Sequence, residues 1–526
     1  MQCKVGKHTY LYESVSYRDE NGEPRNKRKP IGKMDPSTGL PVYKPEYLER
    51  LPAESLMKGI ARVTETFTTE DICKSTIKDY GAFYLFQEMA ERMGLLAAMQ
   101  KVFPGCWEEI FNLAAYLIST GDPFAYCEDW LATTEAFAVG PMTSQRISEL
   151  MASITKEERD GFYQAWCATR SEREYLALDI TSTSSYSELV DSVGWGYNRD
   201  GENLPQINIC LLMGYKSRYP IYQSVYAGSI KDVTTLKTTI GTFRALAGRK
   251  PMVAVMDKGF YSARNVGEML SGKQRVDFVV AVPFTNGFAK SLVESERRGI
   301  DTLSNTIVSG GGSMRAVTKV RKWDSKHKVF AHAYYNARKA QGIREDLYAH
   351  VATLRERAMK EPDKCAGKAE YEKYLIIRRS ENTDTGYTVS LREDAVEAQM
   401  ETAGWLVVIS NFISDAKEAI KIYHDKDIVE KGFNRLKNSL DMGRIRVHSE
   451  TSMQNKVFVG FIALILLSGI HNVMVDKKIY GKMTMKKLIM VLSRLKLQIV
   501  NGSRILFPVT KEQRFIYESF DICVPV

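Results

Sequence analysis

Apolar and polar residues alternate through residues 1–45 around two turn clusters, Asp19-Glu20-Asn21-Gly22 and Asp35-Pro36-Ser37-Thr38-Gly39, a pattern that predicts β-hairpins. From about Thr69 to Arg170 the period becomes helical, with starts at Thr69-Glu70-Asp71 and at Thr155-Lys156-Glu157-Glu158. Beyond Glu174 the pattern changes again. Tyr175–Ile180 is a short apolar run ending in an acid, and Gln206–Gly214 and Tyr219–Ala227 form two strands across a Lys-Ser-Arg turn. Ser229 and Asp232 then open a helix to about Leu246, Met252–Met256 is a strand ending at Asp257, a helix follows from Ser262, and Val276–Val282 is another strand. Three antiparallel strands extended by two β-α-β crossovers predict an α/β fold with a mixed sheet covered by helices, in which functional groups gather at strand ends.

Regularity breaks from about Phe288 to Ser410. Strand-like stretches (Lys328–Tyr335, Tyr387–Leu391, Trp405–Ile409), a Gly310-Gly311-Gly312 turn and a charged helix from about Arg344 to Lys360 predict an α+β insertion. Ala416–Leu440 reads as one helix, and a basic helix is expected from about Thr484 to Gln498. The most apolar run, Val457–Ile470, has 14 residues. That is short of the roughly 20 needed to cross a bilayer, so it reads as a buried core helix and no membrane partner is expected. The first residues carry no apolar stretch of signal-peptide length, which argues for the cytoplasm.

Composition narrows the classes. With 526 residues, 44% hydrophobic and 26% charged, the chain is an ordinary globular protein of several domains, neither disordered nor fibrous. Eight cysteines without a Cys-x-x-Cys pair exclude a zinc module and a disulfide framework. The formal charge of +10 favours an anionic partner. It is concentrated: residues 412–526 hold 19 Lys and Arg against 11 Asp and Glu, a surplus of 8, leaving only +2 for the first 411 residues. A second basic cluster, Arg25, Lys27, Arg28, Lys29 and Lys33, is either a solvated hairpin tip or an arm for a DNA backbone.

Asp179 and Asp257 each end an apolar run and precede small or hydroxyl residues, in Asp179-Ile-Thr-Ser-Thr-Ser and Asp257-Lys-Gly-Phe-Tyr-Ser. Singly each is a turn or cap residue; together, on neighbouring strands, they are a candidate divalent-metal site, because a carboxylate is costly to bury without a partner. Tyr423, Glu430 and Lys437 follow at intervals of seven, two helical turns, with Lys426 and Asp427 flanking the stripe. A solvated face with pairs such as Lys426 to Glu430 accounts for that spacing as well as a site does.

Tyr423, two residues, Lys426, three residues, Glu430, six residues, Lys437 resembles the Y-(2)-R-(3)-E-(6)-K signature of DDE transposases of bacterial insertion sequences, in the group with a β-rich insertion before the final acid. The segments around Asp179 and Asp257 resemble the first and second acid motifs of that family. Asp179 and Asp257 are 78 residues apart and Glu430 lies 173 further on, the interval in which the group carries its insertion. One position departs: Lys426 stands where the signature has arginine, keeping the charge and losing the bidentate fork.

The resemblance covers roughly Tyr175 to Ile470 and implies a ribonuclease-H-like mixed sheet with helices on both faces. It implies a basic β-hairpin arm at 1–45, a helical domain at 46–170 for DNA-end binding or dimerisation, and a catalytic domain at 171–290. An α+β insertion at 291–411, a helix with the third acid at 412–445 and a C-terminal helical region at 446–526 complete the expectation. Asp179, Asp257 and Glu430 would be catalytic and hold Mg²⁺, with Mn²⁺ as a substitute, for cleavage at terminal inverted repeats and transfer of 3′-hydroxyls to target DNA. Tyr423, Lys426, Lys431, Arg435, Lys437 and Trp323 would contact double-stranded DNA, transposon ends and target alike, and a homodimer would pair the two ends. A metal-dependent nuclease on the same fold and a catalytically inactive DNA-binding derivative are the alternatives.

Overall fold

Contacts within the chain define two units, one of Met1–Arg92, Pro123–Ser144 and Ile470–Val526, the other of Met93–Asp122 and Gln145–Gly469. The computed structural model describes residues 2–5, 8–18, 24–34, 41–48, 67–170, 175–247, 253–271, 276–309, 312–380, 383 and 386–526. The turn clusters at 19–22 and 35–39 and the glycines at 310 and 311 lie outside these, as does the side chain of Arg25.

In the first unit the N-terminal pattern forms a four-stranded antiparallel sheet of β1 (Gln2–Val5), β2 (His8–Arg18), β3 (Pro24–Met34) and β4 (Pro41–Tyr43). Lys27, Arg28, Lys29 and Lys33 are exposed on β3. A further strand, β5 (Thr76–Asp79), follows the helix Thr69–Cys73, whose cap is Thr68 in a reciprocal box with Asp71. Its partner is Lys496–Val500, β18 by its place in the chain, which also pairs with β19 (Ser503–Leu506). The helix expected to run to Gln498 therefore stops at Ser493, and the chain continues as a strand. The division into units also departs from the expected order along the chain, since residues 46–170 and 446–526 each contribute to both. Pairings that span hundreds of residues, such as Lys496 with Asp79, leave no mark on local periodicity.

The second unit is organised by one large mixed sheet. Its strands are β6 (Tyr175–Ser185), β7 (Gln206–Gly214), β8 (Pro220–Ala227), β9 (Val253–Met256), β10 (Asp277–Ala281), β11 (Thr306–Ser309), β12 (Gly312–Lys322), β13 (Lys328–Tyr335), β14 (Leu375–Arg379), β15 (Tyr387–Leu391), β16 (Trp405–Ser410) and β17 (Arg444–Ile445). The spatial order is β11-β12-β13-β16-β10-β9-β6-β7-β8, with β17 added alongside β6 and β14 and β15 forming a separate hairpin. As expected, β6, β7 and β8 are antiparallel, and the helices Asp232–Ala247 and Ala263–Ser271 carry the chain into β9 and β10, both parallel to β6. All nine residues of β7 are buried, which accounts for the apolar run Ile209–Met213 within it.

The segment expected as an insertion largely extends this sheet. β16 pairs antiparallel with β10, and β13, β12 and β11 continue outward from it. Only the β14–β15 hairpin and the helices around it form a satellite core, with Leu347, Val351, Leu354, Tyr371 and Leu375 at its centre. The helix Ala337–Lys360 starts seven residues before the expected Arg344, where Asn336 accepts from the Lys339 amide as its cap.

Beneath β8 lies an aromatic cluster. Phe458 meets Phe103, Phe162 and Tyr163 at ring separations of 5.7, 5.3 and 5.9 Å, and Tyr163 meets Tyr222 at 4.9 Å. Phe458 belongs to the helix Glu450–Asp476, which by length and composition is long enough to cross a membrane, yet 83% of its most apolar window is buried inside the protein. Replacing Phe458 by Ala is expected to cost about 3–5 kcal/mol, read as a lower denaturant midpoint with an unchanged slope.

Candidate active site

The parallel register pairs Leu178 of β6 with Met256 of β9, so the next residue on each strand, Asp179 and Asp257, emerges at the same level of the sheet. Leu176–Leu178 and Ala254–Met256 are buried, and both acids are half-buried. Each carboxylate accepts the amide that follows it, at 2.8 Å from Ile180 and 2.7 Å from Lys258, which fixes the first rotamer of each acid.

The third element arrives from above. The helix Ala416–His424 buries Ala419, Ile420, Ile422 and Tyr423 against Val255, Val279, Ala316 and Val408 of the sheet. Tyr423 Oη thereby donates to Asp257 Oδ1 at 2.9 Å. Burial, reinforced by the Asp257 charge, holds the Tyr423 phenol protonated far above the ordinary tyrosine range, so it is a permanent donor.

The helix expected to run unbroken to Leu440 is interrupted. At Lys426 the backbone bonding drops from a four-residue to a three-residue step, with the Lys426 amide on the Tyr423 carbonyl, and a second helix spans Asp427–Asn434. Arg435–Ser439 then forms one wide turn that closes with the Leu440 amide on the Arg435 carbonyl. The stripe of Tyr423, Glu430 and Lys437 consequently splits between separate partners. Lys426 Nζ stands 3.2 Å from Glu430 Oε1 and 3.9 Å from Asp257 Oδ2, with only 13% of its side chain exposed. Gly432 lets this second helix approach β7, where an added Cβ would lie 3.2 Å from Leu211 Cδ2.

Asp179, Asp257, Tyr423, Lys426 and Glu430 thus form one connected group. The three acids are not closed on a common point, since among the described residues no three His, Cys, Asp or Glu side chains stand together as metal ligands. A cationic side chain instead stands between two of them. Burial pushes the Asp179 carboxyl up to about 6, opposed by the Ile180 amide and the charges of Arg199 and Lys426 and aided by Asp257.

The remaining expected residues lie further out. Lys437 pairs with Asp200 at 2.6 Å, and Lys431 pairs with Asp427 at 2.6 Å on the exposed face. Arg435 is half-buried at the start of the wide turn. Trp323 lies in the β12–β13 turn, half-buried and edge-on to Phe288 at 6.3 Å. Two charged residues with no role in the sequence reading also belong here. Arg199 and Asp232 form an ion pair, the Arg199 charge acts on Asp179, and Asp232 lies against Gly259 just beyond Asp257. Asp232 was legible only as a helix start, and nothing local marks Arg199.

Because the folded Asp179 value near 6 exceeds the ordinary 3.8, its contribution to stability is full below about pH 4 and is lost as pH rises through 6. Asp179→Asn is therefore expected to stabilise the protein at pH 7–8 without divalent metal by about 1–3 kcal/mol and to flatten the stability profile between pH 4 and 6. Urea unfolding across that range measures this; equal or lower stability of the variant would mean that the carboxylate makes contacts asparagine cannot replace.

The family described as "Transposase DDE domain" matches residues 170–466. No curated protein matches the chain. Among solved structures, the chain is similar to the piggyBac transposase in a cryo-EM synaptic complex with hairpin DNA, at 11% identity and a TM-score of 0.35, over 84% of this chain and 74% of that one. With more than half of its length matched, the chain belongs to the DDE transposase family.

Proposed function

We propose that this protein is the transposase of a bacterial insertion sequence. It binds the terminal inverted repeats of its element, cleaves DNA at the ends and joins the freed 3′-hydroxyls to target DNA. One observation carries the reading: Asp179, within β6, and Asp257, just past the end of β9, each follow a residue of one parallel pair, Leu178 and Met256, and Lys426 ties Glu430 to the same place. We read the antiparallel β6–β8 and the crossover strands β9 and β10 as a ribonuclease-H-like core, with residues 291–411 as the insertion before the third acid.

The donor set suits a hard divalent cation, being all oxygen, and the Lys426 ammonium between Asp257 and Glu430 marks a position that favours positive charge. Asp179, Asp257 and Glu430 would hold the Mg²⁺ pair, with Mn²⁺ as a substitute, and Glu430 has 55% of its side chain exposed. When bound, such ions lower the pKa of an attacking water or 3′-hydroxyl and stabilise the leaving oxygen. The chain's own residues prepare the place. Tyr423 holds the Asp257 rotamer, Lys426 neutralises the acids until they are needed, and Lys437, Lys431 and Arg435 follow the DNA backbone. The basic β3 surface serves as a DNA arm, the helical segments serve end binding or dimerisation, and two copies pair the two ends in the bacterial cytoplasm, on nucleoid DNA.

With Mg²⁺ and DNA carrying the element's ends, wild-type protein is expected to cut at the ends and form joined product. Asp257→Ala and Glu430→Gln are each expected to lose cleavage by on the order of a thousandfold while retaining DNA binding. Cutting without any joined product assigns the nuclease activity instead, and cutting that survives Asp257→Ala refutes the assignment of the site. Lys437→Ala is expected to weaken binding uniformly across DNA sequences and to reduce the salt slope by about 1, measured by anisotropy over a salt series.

A further inference from the structure

The charge surplus in the last part of the chain divides unevenly. Residues 412–469, which include Glu430, hold 9 Lys and Arg against 7 Asp and Glu, whereas residues 470–526, part of the first unit, hold 10 against 4. Three of those ten cations are paired with carboxylates: Lys477 with Asp521 at 3.1 Å, Arg504 with Glu135 at 2.5 Å, and Lys496 with Asp79. The other seven have no carboxylate partner among the described residues. Packing decides where they stand. The helix Met485–Ser493, capped by Thr484, buries Leu488, Ile489, Val491 and Leu492. Lys486, Met490 and Arg494, spaced four apart on one stripe about 12 Å long, are thereby left in solvent. The helix Lys511–Ser519 lies against it, with buried Gln513 Nε2 donating to the Val491 carbonyl at 3.0 Å, and exposes Lys511 and Arg514. Lys482 joins the two helices, its ammonium 4.1 Å from the centre of the Phe515 ring. The elements beneath are closely packed: at Gly81 a Cβ would stand 2.5 Å from the Leu492 carbonyl oxygen, and the Tyr517 hydroxyl donates to the Gly81 carbonyl at 3.0 Å.

We propose that the face formed by Lys482, Lys486, Arg494, Lys511 and Arg514 is a docking surface for the phosphate backbone of duplex DNA, carried by the first unit and needing neither the acids nor metal. The inference rests on the transposase reading for its partner. Charge selects the occupant. Duplex DNA carries one negative charge per about 1.7 Å of its axis, so a stripe about 12 Å long meets several phosphates at once. Cations that have no carboxylate to give up release counterions from such a polyanion without breaking pairs of their own. Two other occupants fit less well. An anionic membrane takes up apolar side chains, and on this stripe only Met490, at 45% exposure, is apolar. A two-fold contact between copies would set the same cations against each other. Contacts of lysine and arginine with phosphates fix a protein on the duplex and carry no sequence information, so this surface holds DNA of any sequence.

The test uses the full-length protein in EDTA, so that the metal site takes no part, and follows anisotropy on two duplexes of unrelated sequence over a salt series. The double variant Lys486→Gln/Arg494→Gln is expected to reduce the salt slope by about 2 on both duplexes, so that between roughly 50 and 200 mM salt its affinity falls about tenfold less than that of wild type. The exchange Lys486→Arg/Arg494→Lys keeps both charges and is expected to keep the slope. An unchanged slope in the Gln variant, or a loss confined to one sequence, overturns the surface. A change of oligomeric state in the Gln variant without DNA assigns the face to a contact between copies and overturns it too. Wild-type binding to phosphatidylserine vesicles that the Gln variant loses while its DNA binding stands assigns the face to a membrane, with the same consequence. The transposase reading fails separately: wild type that shows the expected slopes yet never cuts DNA carrying the element's ends with Mg²⁺ keeps the surface and loses that reading.

Discussion

The parallel pairing of β6 with β9 is the constraint on which the rest of the site depends. Leu178 opposite Met256 sets two chain segments in one register, and each segment becomes polar at the very next residue. A shift of one residue in either strand would turn one acid to the other face of the sheet. Apolar packing on both sides of these strands therefore does chemical work. It holds two like charges at neighbouring positions, an arrangement neither acid would adopt in a flexible loop.

Such an arrangement costs stability, and the surroundings show how it is offset. Asp179 resists ionisation because it is buried, while Asp257 accepts a hydrogen bond from the Tyr423 hydroxyl and has the Lys426 ammonium 3.9 Å away. Lys426 makes contacts with Asp257 and Glu430 at once. A lysine is suited to that place in a way arginine is not. Its compact, rotatable ammonium fits between two carboxylates without demanding the planar geometry of a fork. Lys426 is accordingly directed at the acids rather than outward.

Strands buried on both faces were legible because their apolar runs are long and sharply ended, as at Asp179 and Asp257. The acids were legible for the same reason. Strands β12, β13 and β16 were visible as segments, but their membership of the main sheet was not, since β16 meets β10 more than 120 residues away in the chain. The break at Asp425 and Lys426 was hidden because both residues suit a helix, and the pull of Asp257 on Tyr423 and Lys426 is tertiary. Lys437 was legible as a cation and its partner Asp200 was not.

The distribution of charge acquires a meaning that its total lacked. Several of the cations in the basic C-terminal third are already engaged: Lys426 by Asp257 and Glu430, Lys431 by Asp427, Lys437 by Asp200 and Arg444 by Glu202. A polyanion approaching this surface exchanges carboxylates for phosphates, and its binding energy is reduced by the pairs it breaks. The exchange also differs between residues. At Lys431 both partners are largely exposed and the pair is weak, whereas Lys437 is 12% exposed and its pair with Asp200 is better shielded from water.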